Sequence, residues 1–424
     1  MKAESRKRKL GARHAGAAPV AASDVEQAPE AADTSGMAPE GGQAGVVASP
    51  PTEAGPEHEQ DARPTKAPRL VSLDAFRGLT IVGMLLVNNA ALDTATPRHL
   101  THAGWGEGLT FADMVFPWFL LIVGVAIPFS YASHKRKGLR TWQWDLKVLG
   151  RAASLVFLGC LIESTIAKTP YFSLGVLQLI GCAYFVAALL CDLPPSRKAV
   201  VAAGLLGLHW AILKYLPVPG VGTGVISESQ NAIQHLNETY LQPYHLEGLP
   251  SVIPTAALVL LGSMIGDALR AESGPMQGAA VTLASGLGMA VLGLLWNASV
   301  PFSKPLWTGS YILYTGGVGT LVLGVLFLVM DAQGLKWLAF PLLPFGMNPL
   351  TAYVVPILTK LLIFREWTWK MPDGSHLQLQ QAIWHWCFVH WGRVPGGWVY
   401  TVGYLVVWWL ILLEMYRRKI FWRV

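Results

Sequence analysis

The sequence predicts an all-α, polytopic membrane protein with about ten transmembrane helices and both termini in the cytoplasm. The 424 residues are 52% hydrophobic and only 14% charged, whereas a soluble domain carries about 25% charged residues. The apolar residues come in runs near the roughly 20 residues needed to cross a bilayer. The alternating pattern of an outer-membrane barrel strand is absent from these runs, so the membrane-spanning elements are predicted to be helices.

Ten apolar segments follow one another along the chain. They lie near 70–92, 111–132, 145–163, 172–191, 199–216, 251–270, 278–297, 308–330, 338–363 and 397–416. Lys and Arg concentrate in alternate connections, above all in HKRKGLR at 134–140 and in the C-terminal RRKIFWRV. The positive-inside rule therefore places both termini in the cytoplasm. The net charge of +6 is explained by this topology and by anionic headgroups, and nucleic acid is not an expected partner.

Residues 1–66 have a different composition, rich in Ala, Gly, Pro and Glu and nearly without aromatic residues. Such a segment cannot bury enough apolar surface to fold alone. We predict that it is a disordered cytoplasmic tail, followed by one transmembrane domain over 67–424. The four cysteines show no spacing typical of a disulfide framework or a zinc site, and no metal is expected.

A polar loop between the first two apolar segments holds the first candidate site. His102 lies there beside Trp105, and an imidazole can take a proton from a nucleophile or accept an acyl group. Asn88, at the outer end of the first segment, is a donor suited to a developing oxyanion. Asp113, at the start of the second segment, either orients the imidazole or caps its own helix. We interpret these residues as a candidate catalytic site.

Ionisable residues also lie at the cytoplasmic end of the first segment. Asp74 and Arg77 are three residues apart and can pair on one helix face. Such groups close to lipid usually face the interior of the bundle. The pair is open to two interpretations, a structural ion pair or a contact between Arg77 and a phosphate-bearing donor.

Other polar residues interrupt later apolar segments. Gln178 in GVLQL and Asn348 in FGMNPL are such residues, and hydrogen bonds between helices commonly explain them. The GMNP sequence at 346–349 predicts a break in the ninth segment, which is tolerated only where protein or a cavity satisfies the backbone. Lys304 and Trp307, in FSKPLWTGS, lie on the predicted outer side and are candidates for contact with an anionic or sugar acceptor.

Five blocks of the chain form a recognisable set, namely RLVSLDAFRG, HAGWGEGLTFADMVFPWF, SKPLWTGSY, FGMNPLTAYV and KIFWRV. With these blocks the chain resembles, from Arg69 to Val424, the heparan-α-glucosaminide N-acetyltransferase family of transmembrane acetyltransferases, which has many bacterial relatives. The resemblance implies transfer of an acetyl group from cytoplasmic acetyl-coenzyme A to the amino group of a terminal glucosamine across the membrane. It implies that His102 is a general base or a transient acetyl carrier, and that Asn88 positions the thioester.

With the residue types above, the resemblance leads to three sets of expected site residues. The catalytic set is His102, Asn88 and Asp113; the acceptor set is Trp105, Lys304, Trp307 and Asn348; the donor set is Asp74, Arg77 and Gln178. The chain departs from the family pattern at three places, and the loss of basic residues among them bears on donor binding. The loop reads WGEGLT where the family has WNGLT, Leu179 replaces a basic residue, and Leu174 stands where proline is common.

The lysosomal type in this family carries a large luminal domain before the membrane part, where this chain has only the polar tail. We therefore expect a bacterial inner-membrane protein that acts on an envelope sugar. A transporter or flippase of a sugar or a lipid-linked glycan is the alternative function, and a member that has lost its activity is a third reading. The physiological acceptor, the acyl group, direct transfer as opposed to an acetyl-enzyme route, and a homodimeric assembly are left open.

Overall fold

The computed structural model describes residues 70–271, 274–372 and 374–422, and the predicted tail at 1–66 lies outside them. The described chain is predominantly helical. The helices are α1 (Val71–Asn89), α2 (Phe111–Arg136), α3 (Thr141–Ala167), α4 (Val176–Leu189), α5 (Pro195–Tyr215), α6 (Ala232–Leu236), α7 (Val252–Arg270), α8 (Pro275–Asn297), α9 (Gly309–Phe327), α10 (Leu343–Met347), α11 (Pro349–Thr359), α12 (Leu379–Trp391) and α13 (Arg393–Arg417). A short antiparallel hairpin of β1 (Thr368–Lys370) and β2 (His376–Gln378) precedes α12.

Six helical segments within the described residues are long and apolar enough to cross a membrane. They are Val71–Asn89, Phe111–Arg136, Leu249–Arg270, Pro275–Asn297, Gly309–Ala332 and Arg393–Arg417. The prediction of an α-helical integral membrane protein is confirmed. The other four predicted segments are also helical, as α3, α4, α5 and the pair α10–α11, but α4 has only 14 residues. The count of ten spans stays a prediction.

The predicted break in the ninth apolar segment is confirmed at Asn348, between α10 and α11. Its backbone angles, φ −125° and ψ 55°, are not helical, and Pro349 offers no backbone N–H to continue the ladder. The Asn348 side chain donates to the carbonyl of Ile420 at 3.1 Å and accepts from the backbone N–H of Trp422 at 3.2 Å. The break therefore holds the C-terminal segment in place.

Helix α2 packs closely against α7 and, at its start, against the start of α9. A Cβ added at Gly124 on α2 would collide with the carbonyl oxygen of Val259 on α7, which shows the near-contact of backbones typical of small residues in membrane helices. On α9, the Tyr311 hydroxyl donates to the carbonyl of Asp113 at 2.7 Å. The loop before α9 consequently lies over the loop that holds His102.

The first helix is fixed at its N-terminus by a distant carboxylate. Asp331 accepts hydrogen bonds from the backbone N–H groups of Val71 and Ser72, at 3.1 and 2.9 Å. These donors have no partner within the helix, and a negative charge at a helix N-terminus is favourable. The other end of α1 carries Asn88, which belongs to the candidate site.

Candidate active site

A cavity of about 580 Å³ lies at the end of α1 that carries Asn88. We call it the His102 cavity. Five of the ten predicted site residues line it, namely Asn88, His102, Asp113, Lys304 and Trp307. These residues come from three stretches of sequence, at the end of α1, at 102–113 and at 304–307. The structure thus joins the predicted catalytic set with two members of the predicted acceptor set.

The two carboxylate oxygens of Asp113 have different partners. Oδ2 accepts from the backbone N–H groups of Ala103 and Thr110, at 3.1 and 3.2 Å, and from the Thr110 hydroxyl at 3.1 Å. These bonds cap α2 and close the loop. Oδ1 faces His102 Nδ1 at 2.8 Å. The side chain is only 3% exposed, so both oxygens rely on protein partners.

The contact with Asp113 determines which ring nitrogen of His102 can act as a base. An ionised carboxylate can only accept a hydrogen bond, so Nδ1 carries the proton of this bond. Nε2 then holds the lone pair in the neutral ring. The His102 side chain is 55% exposed, and it lines the cavity. This arrangement suits a general base.

The Lys304 ammonium lies over the face of the His102 ring. Its Nζ is 2.9 Å from Nδ1 and 3.3 Å from Nε2, and such similar distances to both nitrogens place it off the ring plane. Because the Nδ1 proton points to Asp113, we read this contact as electrostatic and not as a hydrogen bond to the ring. Asp113 Oδ1 is 3.5 Å from Nζ. Burial lowers the pKa of Lys304, and the negative charge of Asp113 opposes that shift.

A tight turn presents Lys304 and Trp307 to the cavity. Ser303 and Thr308 close it, because the Ser303 backbone N–H donates to the Thr308 hydroxyl at 3.1 Å and the Thr308 N–H donates to the Ser303 carbonyl at 3.3 Å. Trp307 adopts φ 53°, which is costly for a bulky side chain. Its ring packs edge-on against Phe116, with centroids 5.2 Å apart. The turn is therefore held in a strained shape at the cavity.

Asn88 is placed at the cavity with its side-chain amide available. The residue is exposed, and none of the described residues hydrogen-bonds to its side chain, whereas its backbone carbonyl accepts from Lys360 Nζ at 3.1 Å.

Trp105, which was predicted to contact the acceptor, is 37% exposed. It lies in the loop near His102 and is not among the residues that line the cavity.

A family model described as "Heparan-alpha-glucosaminide N-acetyltransferase, catalytic" matches residues 69–295, more than half of the chain. The chain belongs to this family. Mouse heparan-alpha-glucosaminide N-acetyltransferase is 25% identical over 451 residues, which cover 88% of this chain and 64% of the mouse protein. The human protein of the same name is 27% identical over 432 residues, covering 84% and 60%. The chain thus spans less than two thirds of the length of these relatives.

Besides Trp105, four predicted residues of this acetyltransferase family member are not among those that line the His102 cavity. Asp74 and Arg77 pair at 3.0 Å. They precede Asn88 on α1 by fourteen and eleven residues, which corresponds to about 21 and about 17 Å along the helix. Gln178 is buried between α3 and α4, where its Nε2 lies 3.9 Å from Cys160 Sγ. The predicted donor set is therefore not gathered in this cavity. Asn348 does not line it either and hydrogen-bonds to the C-terminal segment, and its contact with the acceptor stays a prediction.

The walls of the His102 cavity include residues that sequence reasoning did not assign to a site. Leu174 and Leu179, two of the departures from the family pattern, both line it. Tyr353 from α11 also lines it. Single apolar residues and one phenol in an apolar helix carry no signal of their own, so only the packing of α4 against α2 and of α11 against α1 reveals them.

Proposed function

We propose that the protein transfers an acetyl group from acetyl-coenzyme A to the amino group of a glucosamine-type sugar. The observation that carries this proposal is the arrangement of Asp113, His102 and Lys304 in one cavity, in a chain of this family. The curated relatives are named for the same reaction type. An imidazole oriented by a carboxylate and flanked by a cation supplies a base and a site for negative charge, which acyl transfer to an amine requires.

In the proposed reaction, His102 Nε2 takes a proton from the acceptor nitrogen as that nitrogen attacks the thioester carbonyl carbon. The new C–N bond forms, the C–S bond breaks, and the proton from His102 passes to the departing sulfur to give the thiol of coenzyme A. Asp113 holds the Nδ1 proton and stabilises the imidazolium. The Lys304 ammonium and the Asn88 amide are placed to donate to the carbonyl oxygen as it gains negative charge.

We further propose that the ten predicted segments all cross the membrane and that both termini are cytoplasmic. The His102 cavity is then on the outer side of a bacterial inner membrane. The phosphates of acetyl-coenzyme A are proposed to stay near Arg77 and the basic 134–140 connection, because phosphates without partners in lipid are very unfavourable. Support comes from the positions of Asp74 and Arg77 at the opposite end of α1 from Asn88.

The proposal is tested with the full-length protein purified in lipid nanodiscs. Acetyl-coenzyme A labelled in its acetyl group is added with glucosamine, and we expect labelled N-acetylglucosamine and free coenzyme A in equal amounts. Omitting the sugar separates the two routes, since only a route through acetyl-His102 labels the protein and releases coenzyme A. Sugar uptake into proteoliposomes without any acetylated product would favour the transporter instead and contradict the proposal.

Replacing Lys304 tests its role as a cation at the carbonyl oxygen. We expect Lys304→Gln to lower kcat about a hundredfold, the effect typical of losing one donor to a developing oxyanion. Only the protonated amine carries the positive charge that stabilises the carbonyl oxygen. The wild-type rate should therefore fall as pH rises through the lowered pKa of Lys304. Lys304→Arg should move this alkaline fall to higher pH, because a guanidinium stays charged. An unchanged pH profile in Lys304→Arg would contradict this role.

A further inference from the structure

The Lys304 amine lies close to the place that the amino group of an acceptor takes in order to react. A general base acts on a nitrogen within about 2.6–3.2 Å, and Lys304 Nζ is 3.3 Å from His102 Nε2. Both side chains line the His102 cavity, which has a volume of about 580 Å³. The cavity proposed for acetyl transfer to an amine therefore contains an amine of the protein itself, next to the base.

The same nitrogen is near the proposed position of the thioester carbonyl. Lys304 is placed to donate to the carbonyl oxygen, which brings Nζ close to the carbonyl carbon as well, and reacting atoms in a productive geometry are about 3–3.5 Å apart. The four-carbon stem of a lysine is flexible, so a short movement takes Nζ from above the His102 ring into the ring plane. The Asn88 amide stays available for the oxyanion, since none of the described residues hydrogen-bonds to that side chain.

The surroundings of Lys304 favour the neutral amine that an attack on a thioester requires. An ammonium has no lone pair to share. Burial lowers the pKa of Lys304, and Asp113, whose Oδ1 is 3.5 Å from Nζ, opposes this shift. His102 and Tyr353 are the other titratable side chains among the described residues that line the cavity. The fraction of Lys304 that can act as a nucleophile therefore increases with pH.

We propose that Lys304 is a site of self-acetylation, which the protein modifies when acetyl-coenzyme A is bound and no sugar occupies the acceptor position. Neutral Lys304 Nζ attacks the thioester carbonyl carbon, the C–N bond forms, and the C–S bond breaks. The proton that Nζ loses passes through His102 Nε2 to the departing sulfur and gives the thiol of coenzyme A. The product is an Nε-acetyl amide at Lys304. This inference rests on the proposed acetyl transfer.

Acetylation of Lys304 inactivates the site. Acetylation of a lysine removes its charge, so the cation at the carbonyl oxygen and the counter-charge of Asp113 are both lost. The Lys304→Gln side chain is also a neutral amide, and its expected hundredfold loss of kcat gives the expected size of the effect. The protein thus turns itself off when the acetyl donor is present without an acceptor.

The test incubates the full-length protein in lipid nanodiscs with acetyl-coenzyme A labelled in its acetyl group and without sugar. Peptide mass spectrometry follows the label on each lysine. We expect Lys304 to be acetylated about a hundredfold faster than Lys370, an exposed lysine of β1, because a positioned base contributes at least about that factor. The rate at Lys304 should rise with pH, opposite to the fall expected for sugar acetylation. Equal rates at Lys304 and Lys370 would overturn the inference.

The bond to the label distinguishes this product from an acetyl-enzyme intermediate. Hydroxylamine removes an acetyl group from an imidazole and leaves a lysine amide intact, and glucosamine discharges acetyl-His102 but not acetylated Lys304. We expect part of the label to survive both treatments and to lie on Lys304. Complete loss of the label in hydroxylamine would assign it to His102 and contradict self-acetylation.

His102→Ala and glucosamine separate self-acetylation from ordinary reactivity of a lysine. His102→Ala should lower the rate at Lys304 about a hundredfold and leave the rate at Lys370 unchanged. Saturating glucosamine, added from the start, should also suppress the reaction at Lys304, because the amine of the sugar takes the position beside Nε2. An unchanged rate at Lys304 in folded His102→Ala would show that the base is not involved and would overturn the inference.

Both products are measured in the same samples, which separates this inference from the proposed function. Labelled N-acetylglucosamine with unmodified Lys304 would overturn self-acetylation and leave acetyl transfer standing. Acetylation of Lys304 that depends on His102, with no acetylated sugar, would support self-acetylation and contradict transfer to glucosamine. The wild-type protein should lose activity on preincubation with acetyl-coenzyme A in step with acetylation of Lys304. Lys304→Arg should lose none of its own activity, because its guanidinium stays charged; an equal loss would contradict inactivation through Lys304.

Discussion

His102→Ala is expected to lower kcat for acetyl transfer on the order of a thousandfold, the largest effect of any single substitution in this protein. Among the described residues that line the cavity, His102 is the one imidazole, and Asp113 orients it. A positioned general base contributes about 10²- to 10⁴-fold. The side chain is 55% exposed and packs little, so the fold should persist. The measurement is release of coenzyme A with glucosamine present.

A matched control is available in the same loop. His99 is an exposed histidine that does not line the His102 cavity, and His99→Ala should keep the wild-type rate. Thermal unfolding of both variants checks that they remain folded. Full acetyl transfer by folded His102→Ala would remove this imidazole from the mechanism.

Asp113→Asn is expected to lower kcat about a hundredfold to a thousandfold with little loss of fold. The amide oxygen can still accept from the Ala103 and Thr110 backbone N–H groups, which preserves the helix cap. The amide NH₂ then faces His102 Nδ1 in place of Oδ1 and requires Nδ1 to accept. That tautomer carries its proton on Nε2, which can no longer act as the base. Lys304 also loses its counter-charge.

Glu107 provides the control for Asp113→Asn, since it is an exposed carboxylate of the same loop. It accepts from the Gly104 backbone N–H at 3.4 Å and lies 3.7 Å from Arg98. We expect Glu107→Gln to change kcat by less than about twofold, as surface ion pairs contribute little. If Asp113→Asn kept the wild-type kcat, the carboxylate would serve only as the helix cap.

The Asp113 carboxylate shows how much of the candidate site the sequence could predict. The sequence left two roles for it, orientation of an imidazole and capping of α2. The structure assigns one oxygen to each set of partners, so the two interpretations are compatible. The sequence alone could not show which oxygen has which partners, because that depends on where the His102 loop folds back over the start of α2.

The donor set stays a prediction, because polarity within a span does not by itself identify a partner. Asp74, Arg77 and Gln178 are all polar residues in apolar helices, and each was predicted to contact the donor. In the structure Asp74 pairs with Arg77, and Gln178 packs between α3 and α4. Polarity within a span signals that a partner exists, but it does not say whether that partner is a ligand or another helix.

Composition and apolar run length alone were enough to predict a helical membrane protein, because lipid forces each spanning segment to satisfy its own backbone hydrogen bonds. Local chemistry also predicted the break at Asn348, since Pro349 has no N–H to donate. The site was decided by tertiary packing. Lys304 is 202 residues from His102 along the chain and Lys360 is 272 from Asn88, and only the close approach of α2, α9 and α11 to α1 brings these charges together.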